Sequence, residues 1–216
     1  MSRLVLYFIR HGETYLNKYK KMQGWSDAPL TEKGIVDAIA TGQRLKDIKF
    51  DAIYASDLGR TQKTAELIQS ESEKNKELLI IPKAELRESF FGSLDGSFAS
   101  DVYGMIAEKL AIEVKDIFKD LSLEEIAAAL NDVDPTHDSE SQEALLSRLQ
   151  KGLKDIISRP NDKEDSKIMV VTHGNVIRAI VNMIDPNISV KQELKNSGLT
   201  TIAFEDGVGQ VIGFNE

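Results

Sequence analysis

At 216 residues, 41% hydrophobic and 29% charged, the chain is long enough to bury a sizeable core and too apolar for global disorder. A net charge of −8 argues against nucleic acid or an anionic membrane as the main partner, since both need clustered Lys and Arg; a few inward-facing arginines can still hold a small phosphorylated metabolite. The lack of cysteine excludes disulfides, thiolate nucleophiles and Cys-based metal sites, and the apolar runs are too short for a signal or spanning segment, so a cytoplasmic protein is expected.

The first apolar run, Leu4 to Ile9, predicts a buried strand. It stops at Arg10-His11-Gly12-Glu13-Thr14, which sets an arginine and a histidine at the sheet edge where open α/β folds bind ligands. Thr31 to Leu45 spaces Ile35, Ala38, Ile39, Gly42 and Leu45 along one helical face. A second strand, Ala52 to Ala55, leads through Ser56-Asp57, read as a cap signal, into a helix from Leu58 to Ile68 that carries Arg60. A third strand, Leu78 to Ile81, is followed shortly by Leu86-Arg87-Glu88.

From Gly96 to Asp138 there is helical pattern with little strand signal, which predicts a helical insertion over the sheet edge as a lid. Two capping boxes, Ser122 with Glu125 and Ser139 with Gln142, start helices, the second reaching about Ile157. The polar run Arg159 to Asp165 reads as a solvated connection. Ile168 to Val171 then ends at Thr172-His173-Gly174, a second strand-to-helix corner. Strands Thr200 to Phe204 and Gln210 to Phe214 flank the turn Glu205-Asp206-Gly207-Val208-Gly209, too short for a crossover helix, so they should form an antiparallel hairpin. The expected architecture is α/β: one domain over 1–216, a mostly parallel sheet sandwiched by helices, with the insertion at about 96–138.

A phosphate monoester would find what its chemistry requires among these residues. Guanidinium forks neutralise its charge, and Arg10 and Arg60 are the candidates. A neutral imidazole held at a strand end can attack phosphorus and form a transient covalent adduct, the role expected of His11, with Gly12 turning the backbone away. A carboxylic acid must protonate the leaving oxygen; Glu88 is the first choice and Glu13 the second, Glu13 being better placed to orient the nucleophile. If the two histidine-bearing strands are neighbours, His173 stabilises the transferring group, and amides of the helix opening at Gly174 add anion affinity. Lys18, Lys20 and Lys21 form a basic patch that would steer anions, His137 belongs to a polar loop, and no HxH or HExxH spacing suggests a metal.

Taken in order, Arg10-His11-Gly12-Glu13-Thr14 with Asn17, Gln23-Gly24, Asp27-Ala28-Pro29-Leu30-Thr31 with Gly34, Ser56-Asp57-Leu58 with Arg60-Thr61, Leu86-Arg87-Glu88 with Gly92 and Gly96, and Thr172-His173-Gly174 resemble the histidine phosphatase superfamily, in its phosphoglycerate mutase-like branch. That resemblance implies a phosphohistidine on His11, a phosphate pocket of Arg10, Arg60 and His173, proton donation by Glu88, accessory contacts from Asn17, Gln23 and Gly24, and neither metal nor cofactor. Ser89 to Phe98 carries no cation, and the Arg-His-Tyr element and paired lid arginines of glycolytic mutases are absent. Hydrolysis is therefore expected, with a cofactor-dependent mutase or a slow phosphoprotein-binding phosphatase as alternatives. Asp95 departs from the Glu that phosphatases often have there, and Phe90, Phe91, Phe98 and Tyr103 read first as core.

Overall fold

Alternation along the strands decides how the layers stack. In the computed structural model, which describes residues 3–158 and 165–216, β1 (Arg3–Arg10) sends Leu6 and Phe8 to one face and Ile9 to the other. β2 (Ala52–Ser56) divides Ala52 and Tyr54 from Ile53 and Ala55 in the same way. Helices α2 (Glu32–Leu45) and α3 (Gly59–Ser70) cover the Ile9 face through Leu45, Ala65 and Ile68. The Phe8 face packs on α7 (Gln142–Ile157) and α8 (Gly174–Ile184) through Leu149, Ile156, Ile177 and Ile180. A sheet buried on both sides explains why its central strands read as continuous apolar runs.

The remaining strands are β3 (Ile80–Lys83), β4 (Asp165–Thr172), β5 (Leu199–Glu205) and β6 (Val208–Gly213), and the six-stranded sheet runs β3-β2-β4-β1-β5-β6. The first four strands are mutually parallel; β5 is antiparallel to β1, and β5 and β6 form the expected hairpin. This α/β architecture is the one the sequence implied. β1 and β4 lie side by side with Arg10 opposite Thr172, so His11 and His173 leave adjacent strands at the same level.

Several boundaries differ from expectation. β3 starts at Ile80 rather than Leu78, because the pairing with β2 joins Ile53 to Ile80, and Leu79 faces solvent. The β5–β6 turn contracts to Asp206-Gly207, both at positive φ (49° and 82°), as a two-residue hairpin turn requires. Ser141, not Ser139, caps α7 by accepting the Ala144 amide, because Ser139 is drawn back to the Asp134 carboxylate through its own N–H. Nor does Ser56 or Asp57 cap α3: its N-cap is Leu58, and the Asp57 carboxylate is held by Arg87. Of the polar run from Arg159, residues 159–164 lie outside the described residues, and Asp165 already belongs to β4.

The short α1 (Tyr15–Lys18) follows the first motif, and α4 (Ala99–Leu110), α5 (Val114–Asp120) and α6 (Leu123–Val133) occupy the stretch read as an insertion. These three gather around an apolar cluster of their own, in which Val102, Ile106, Ile117 and Leu130 pack with Met22 and Phe91. Phe91 is thus core, whereas Phe98 is half-exposed beneath the Lys21 ammonium. Among the described residues, no helix is long and apolar enough to cross a membrane.

The loop after His11 is pinned to the first turn of α2. Thr31 caps that helix, donates its amide to the Glu13 carbonyl (2.8 Å) and its hydroxyl to the Glu13 carboxylate (2.7 Å). Gly34 permits this approach: a Cβ there would lie 2.2 Å from the Glu13 carbonyl oxygen. Gly34→Ala is therefore expected to cost about 1–3 kcal/mol in urea unfolding, as overpacking does, and to reduce turnover by displacing the loop beside His11. Unchanged stability would show that the loop yields freely.

Candidate active site

One extra hydrogen bond extends the β1–β4 ladder past its end, from the His11 amide to the Thr172 carbonyl (2.9 Å). The two imidazoles that follow are buried edge to face, with ring centroids 5.2 Å apart. Their partners fix opposite tautomers. His11 Nδ1 lies 2.9 Å from the Gly12 carbonyl, which can only accept, so Nδ1 carries the hydrogen and Nε2 presents a bare lone pair. His173 Nδ1 lies 3.0 Å from Arg60 Nη2, which can only donate, so there the hydrogen sits on Nε2. Burial, then the positive charge of Arg60, holds both imidazoles well below the ordinary histidine pKa, hence neutral.

Arg60, in the first turn of α3, is fully buried. Its Nη1 donates to the Ser26 carbonyl (2.8 Å) and Asp27 carboxylate (3.1 Å), and its Nη2 to the Gly24 carbonyl (2.7 Å) besides His173. Arg10 Nη1 donates to the Leu194 carbonyl. Gln23 accepts the Thr14 hydroxyl (2.6 Å) on its oxygen, leaving its nitrogen unused. Among the described residues, the buried side-chain nitrogens without a partner are Arg10 Nε, Gln23 Nε2, Arg60 Nε and His173 Nε2. All are N–H donors, and they sit on residues expected to surround a phosphate. Buried donors are normally paired, so this concentration suits an anion with several acceptor oxygens.

Glu88 is buried on the loop after β3; its carboxylate accepts the Ser89 amide (3.0 Å) and the Asn175 amide (3.2 Å) in the first turn of α8. The loop itself is splinted. Arg148, on α7, donates to the carbonyls of Glu85 (2.9 Å), Arg87 (2.6 Å) and Glu88 (2.9 Å) while pairing with both oxygens of Glu140 (2.6 and 2.7 Å). Trp25 Nε1 also donates to the Glu88 carbonyl (2.9 Å), and the Arg87 guanidinium lies over the Trp25 ring. Asp95 gathers the amides of Gly24 (2.6 Å), Trp25 (3.0 Å) and Ser26 (3.2 Å), which gives this departure from the usual glutamate a definite task.

Above the ends of β1 and β4 opens a pocket of about 500 Å³ whose walls include Arg10, His11, Asn17, Gln23, Glu88 and Gly174. Arg60 and His173 are packed behind this wall, against each other. Gly24 is not on it: its amide is held by Asp95 and its carbonyl by Arg60. Asn17 closes a capping box with Thr14 and accepts a weak bond from Asn196 (3.4 Å). Glu13 lines the pocket but gives its carboxylate to Thr31, and the His11 ring takes its orientation from the Gly12 carbonyl, which corrects the orienting role expected of Glu13. Lys20 and Lys21 reach the pocket wall, Lys18 lies over the Tyr15 ring, and His137 is exposed. Among the described residues, no three His, Asp or Glu side chains are grouped to hold a metal.

Sequence reasoning missed Arg178, Lys191 and Asn196, all on the pocket wall. A Cβ placed on Gly174 would lie 3.5 Å from Arg10 Nε, 3.5 Å from Arg178 Nη1 and 3.8 Å from Glu88 Oε2, so the three groups converge on one point. The signal was available: Arg178 stands four residues beyond Gly174, one helical turn along the face that starts at the anion-binding corner.

The profile of the histidine phosphatase superfamily (branch 1) matches residues 6–216. The chain is 30% identical to the fructose-2,6-bisphosphatase TIGAR of Bos taurus, over 96% of this chain and 87% of that one. It is likewise 30% identical to the probable phosphoglycerate mutase GpmB of Erwinia tasmaniensis, over 92% and 84% of the two chains. The crystal structure of phosphoglycerate mutase from Bacillus anthracis matches with a TM-score of 0.94 at 30% identity, covering 100% of this chain and 94% of that one. With the profile running from within β1 to the last residue and the paired histidine corners inside it, the chain belongs to the histidine phosphatase superfamily.

Proposed function

We propose that this protein is a metal-independent phosphatase that hydrolyses small phosphate monoesters through a phosphohistidine on His11. The observation that carries this reading is the set of unpartnered N–H donors on Arg10 and Gln23, in the wall of the pocket that holds His11, and on Arg60 and His173 packed behind it, beside an imidazole whose Nε2 lone pair is bare. Arg10, Arg60 and His173 hold the non-bridging oxygens as negative charge redistributes, and Gln23, Asn17 and the amides opening α8 at Gly174 support them. His11 Nε2 attacks phosphorus, the P–O ester bond breaks, and Glu88 gives its proton to the departing oxygen. Water then attacks phosphorus as it gives a proton to the Glu88 carboxylate, and the P–N bond breaks, releasing phosphate and the neutral histidine. Gly24 serves through the loop it closes onto Arg60.

One relative is named as a bisphosphatase and another as a probable mutase, and the two chemistries differ only in what takes the phosphoryl group from the histidine. The cation-free stretch Ser89 to Phe98 supports hydrolysis, since a mutase must retain a highly charged intermediate. The mutase reading gains from Lys20, Lys21, Arg178 and Lys191, which bring cations to the pocket from other segments. Incubation with 3-phosphoglycerate and 2,3-bisphosphoglycerate, followed by phosphorus NMR, separates the two. Release of inorganic phosphate is expected; rapid formation of 2-phosphoglycerate would favour the mutase.

His11→Ala is expected to lower turnover of an aryl phosphate by at least a thousandfold with an unchanged circular dichroism spectrum, and to abolish acid-labile labelling by radioactive phosphate ester. Retained labelling would reject the covalent mechanism.

Neutral buried histidines also link stability to pH. Because His11 and His173 bind protons less readily folded than unfolded, their contribution is present above the unfolded pKa of about 6.5 and is lost as pH falls below it. Each adds a slope of up to about 1.4 kcal/mol per pH unit. Urea unfolding between pH 7.5 and 5 should show wild type losing stability faster than His173→Gln; parallel curves would mean that His173 is not buried neutral.

A further inference from the structure

A second chamber of about 380 Å³, in the size range of small-molecule sites, is lined by residues of α5, α6, α7 and α8. Phe91, Tyr103, Phe118, Asn175, Arg178 and Lys191 line both this chamber and the catalytic pocket, so the two cavities share a wall. Apolar side chains such as Ile126, Leu130 and Leu145 furnish much of the interior. Ser139 also lines it, and its buried hydroxyl has no hydrogen-bond partner.

The chamber's direction relative to the chemistry identifies its occupant. Ser89, Phe90 and Phe91, which follow Glu88 in the chain, form part of its wall, and so does Asn175, whose amide holds the Glu88 carboxylate. Under the reading above, Glu88 protonates the leaving oxygen, which puts the chamber on the leaving-group side of phosphorus. We infer that the chamber receives the organic body of the substrate: the alcohol part of a phosphate monoester that is bulky and mainly apolar, with one polar group able to meet Ser139. This rests on the phosphatase reading. Arg178 stands at the junction, tied to the Val190 (3.0 Å) and Gln192 (3.0 Å) carbonyls and to Asn175 (3.2 Å), and separates a cationic phosphate end from an apolar end.

Two primary alkyl esters of similar leaving-group acidity test the inference, ethyl phosphate and 2-(2-naphthyl)ethyl phosphate. The wild type is expected to prefer the naphthyl ester at least tenfold in kcat/KM. Ala127 lines the chamber and is only partly buried, so Ala127→Trp should fill the space without unfolding the lid. That variant should lose at least tenfold on the naphthyl ester, mainly through KM, while ethyl phosphate stays within twofold. Ala127→Phe, a smaller plug, should give an intermediate loss should the Trp variant fold poorly. Equal wild-type rates on both esters, with neither variant discriminating, would overturn the chamber assignment and leave the phosphatase reading intact. No turnover of either ester or of an aryl phosphate by the wild type would remove both.

Discussion

Parallel pairing of β1 with β4 in one register governs the site. Arg10 opposite Thr172 forces the next residue on each strand to emerge at the same level, and the His11 amide closes on the Thr172 carbonyl before the two chains diverge. A slip of one residue would turn either Phe8 or Val170 from the α7–α8 core toward the other face and send the histidines apart. Packing on both faces of the sheet thus makes the separation of two imidazoles a consequence of core burial. Arg60 then fixes the second ring from α3, and because it can only donate, it sets the tautomer of His173 as well as its position.

The chain is acidic overall, yet Arg10 and Gln23 in the pocket wall and Arg60 and His173 behind it bring positive charge and neutral donors to this edge of the sheet. Each is immobilised by bonds that leave part of its capacity unused. Arg60 gives both terminal nitrogens to the 24–27 segment and His173, and keeps Nε; Gln23 gives its oxygen to Thr14 and keeps its amide nitrogen. Unsatisfied donors destabilise a fold, and the surrounding clasps offset that cost. The clasps work on two loops: Asp95 collects three successive amides of the Gly24 loop, while Arg148 and Glu140 grip the segment that carries Glu88. Removing a clasp would leave the chemistry's residues present but loosely aimed.

Much of this was legible locally. Apolar runs of four to six residues and one-faced helical spacing mark the strands and the long helices, and the strand ends Arg10-His11 and Thr172-His173, read together, point to a ligand edge. What failed depends on partners that the local pattern does not name, near or far along the chain. Asp57 has the composition of a cap, but Arg87, thirty residues on, claims its carboxylate. Ser139 has a cap's spacing, but Asp134 draws its amide into another turn. Asn196 and Lys191 reach the pocket only because the segment after α8 folds back, with the Ser197 amide bonding the Arg10 carbonyl and Asn196 Nδ2 the His11 carbonyl. Little in residues 185–198 advertises that return, since the bonds that bring it to β1 end on the backbone carbonyls of Arg10 and His11, which any sequence supplies.

Selectivity among esters follows from the same division of labour. Every phosphate monoester offers the same terminal oxygens, so donors that meet those oxygens accelerate all esters alike and choose among none. On the proposed chemistry, discrimination comes from the surfaces that meet the alcohol, which would be those of α4, α5 and α6 and of the loop that carries Glu88. Phe91 connects them: it packs in the core of α4, α5 and α6, and it also walls both the catalytic pocket and the chamber behind it. A change in the packing of α4, α5 and α6 would therefore reach both cavities through a buried ring three residues from Glu88. On that reading the sheet would fix the phosphate end while the sequence of α4, α5 and α6 sets which alcohol is accepted.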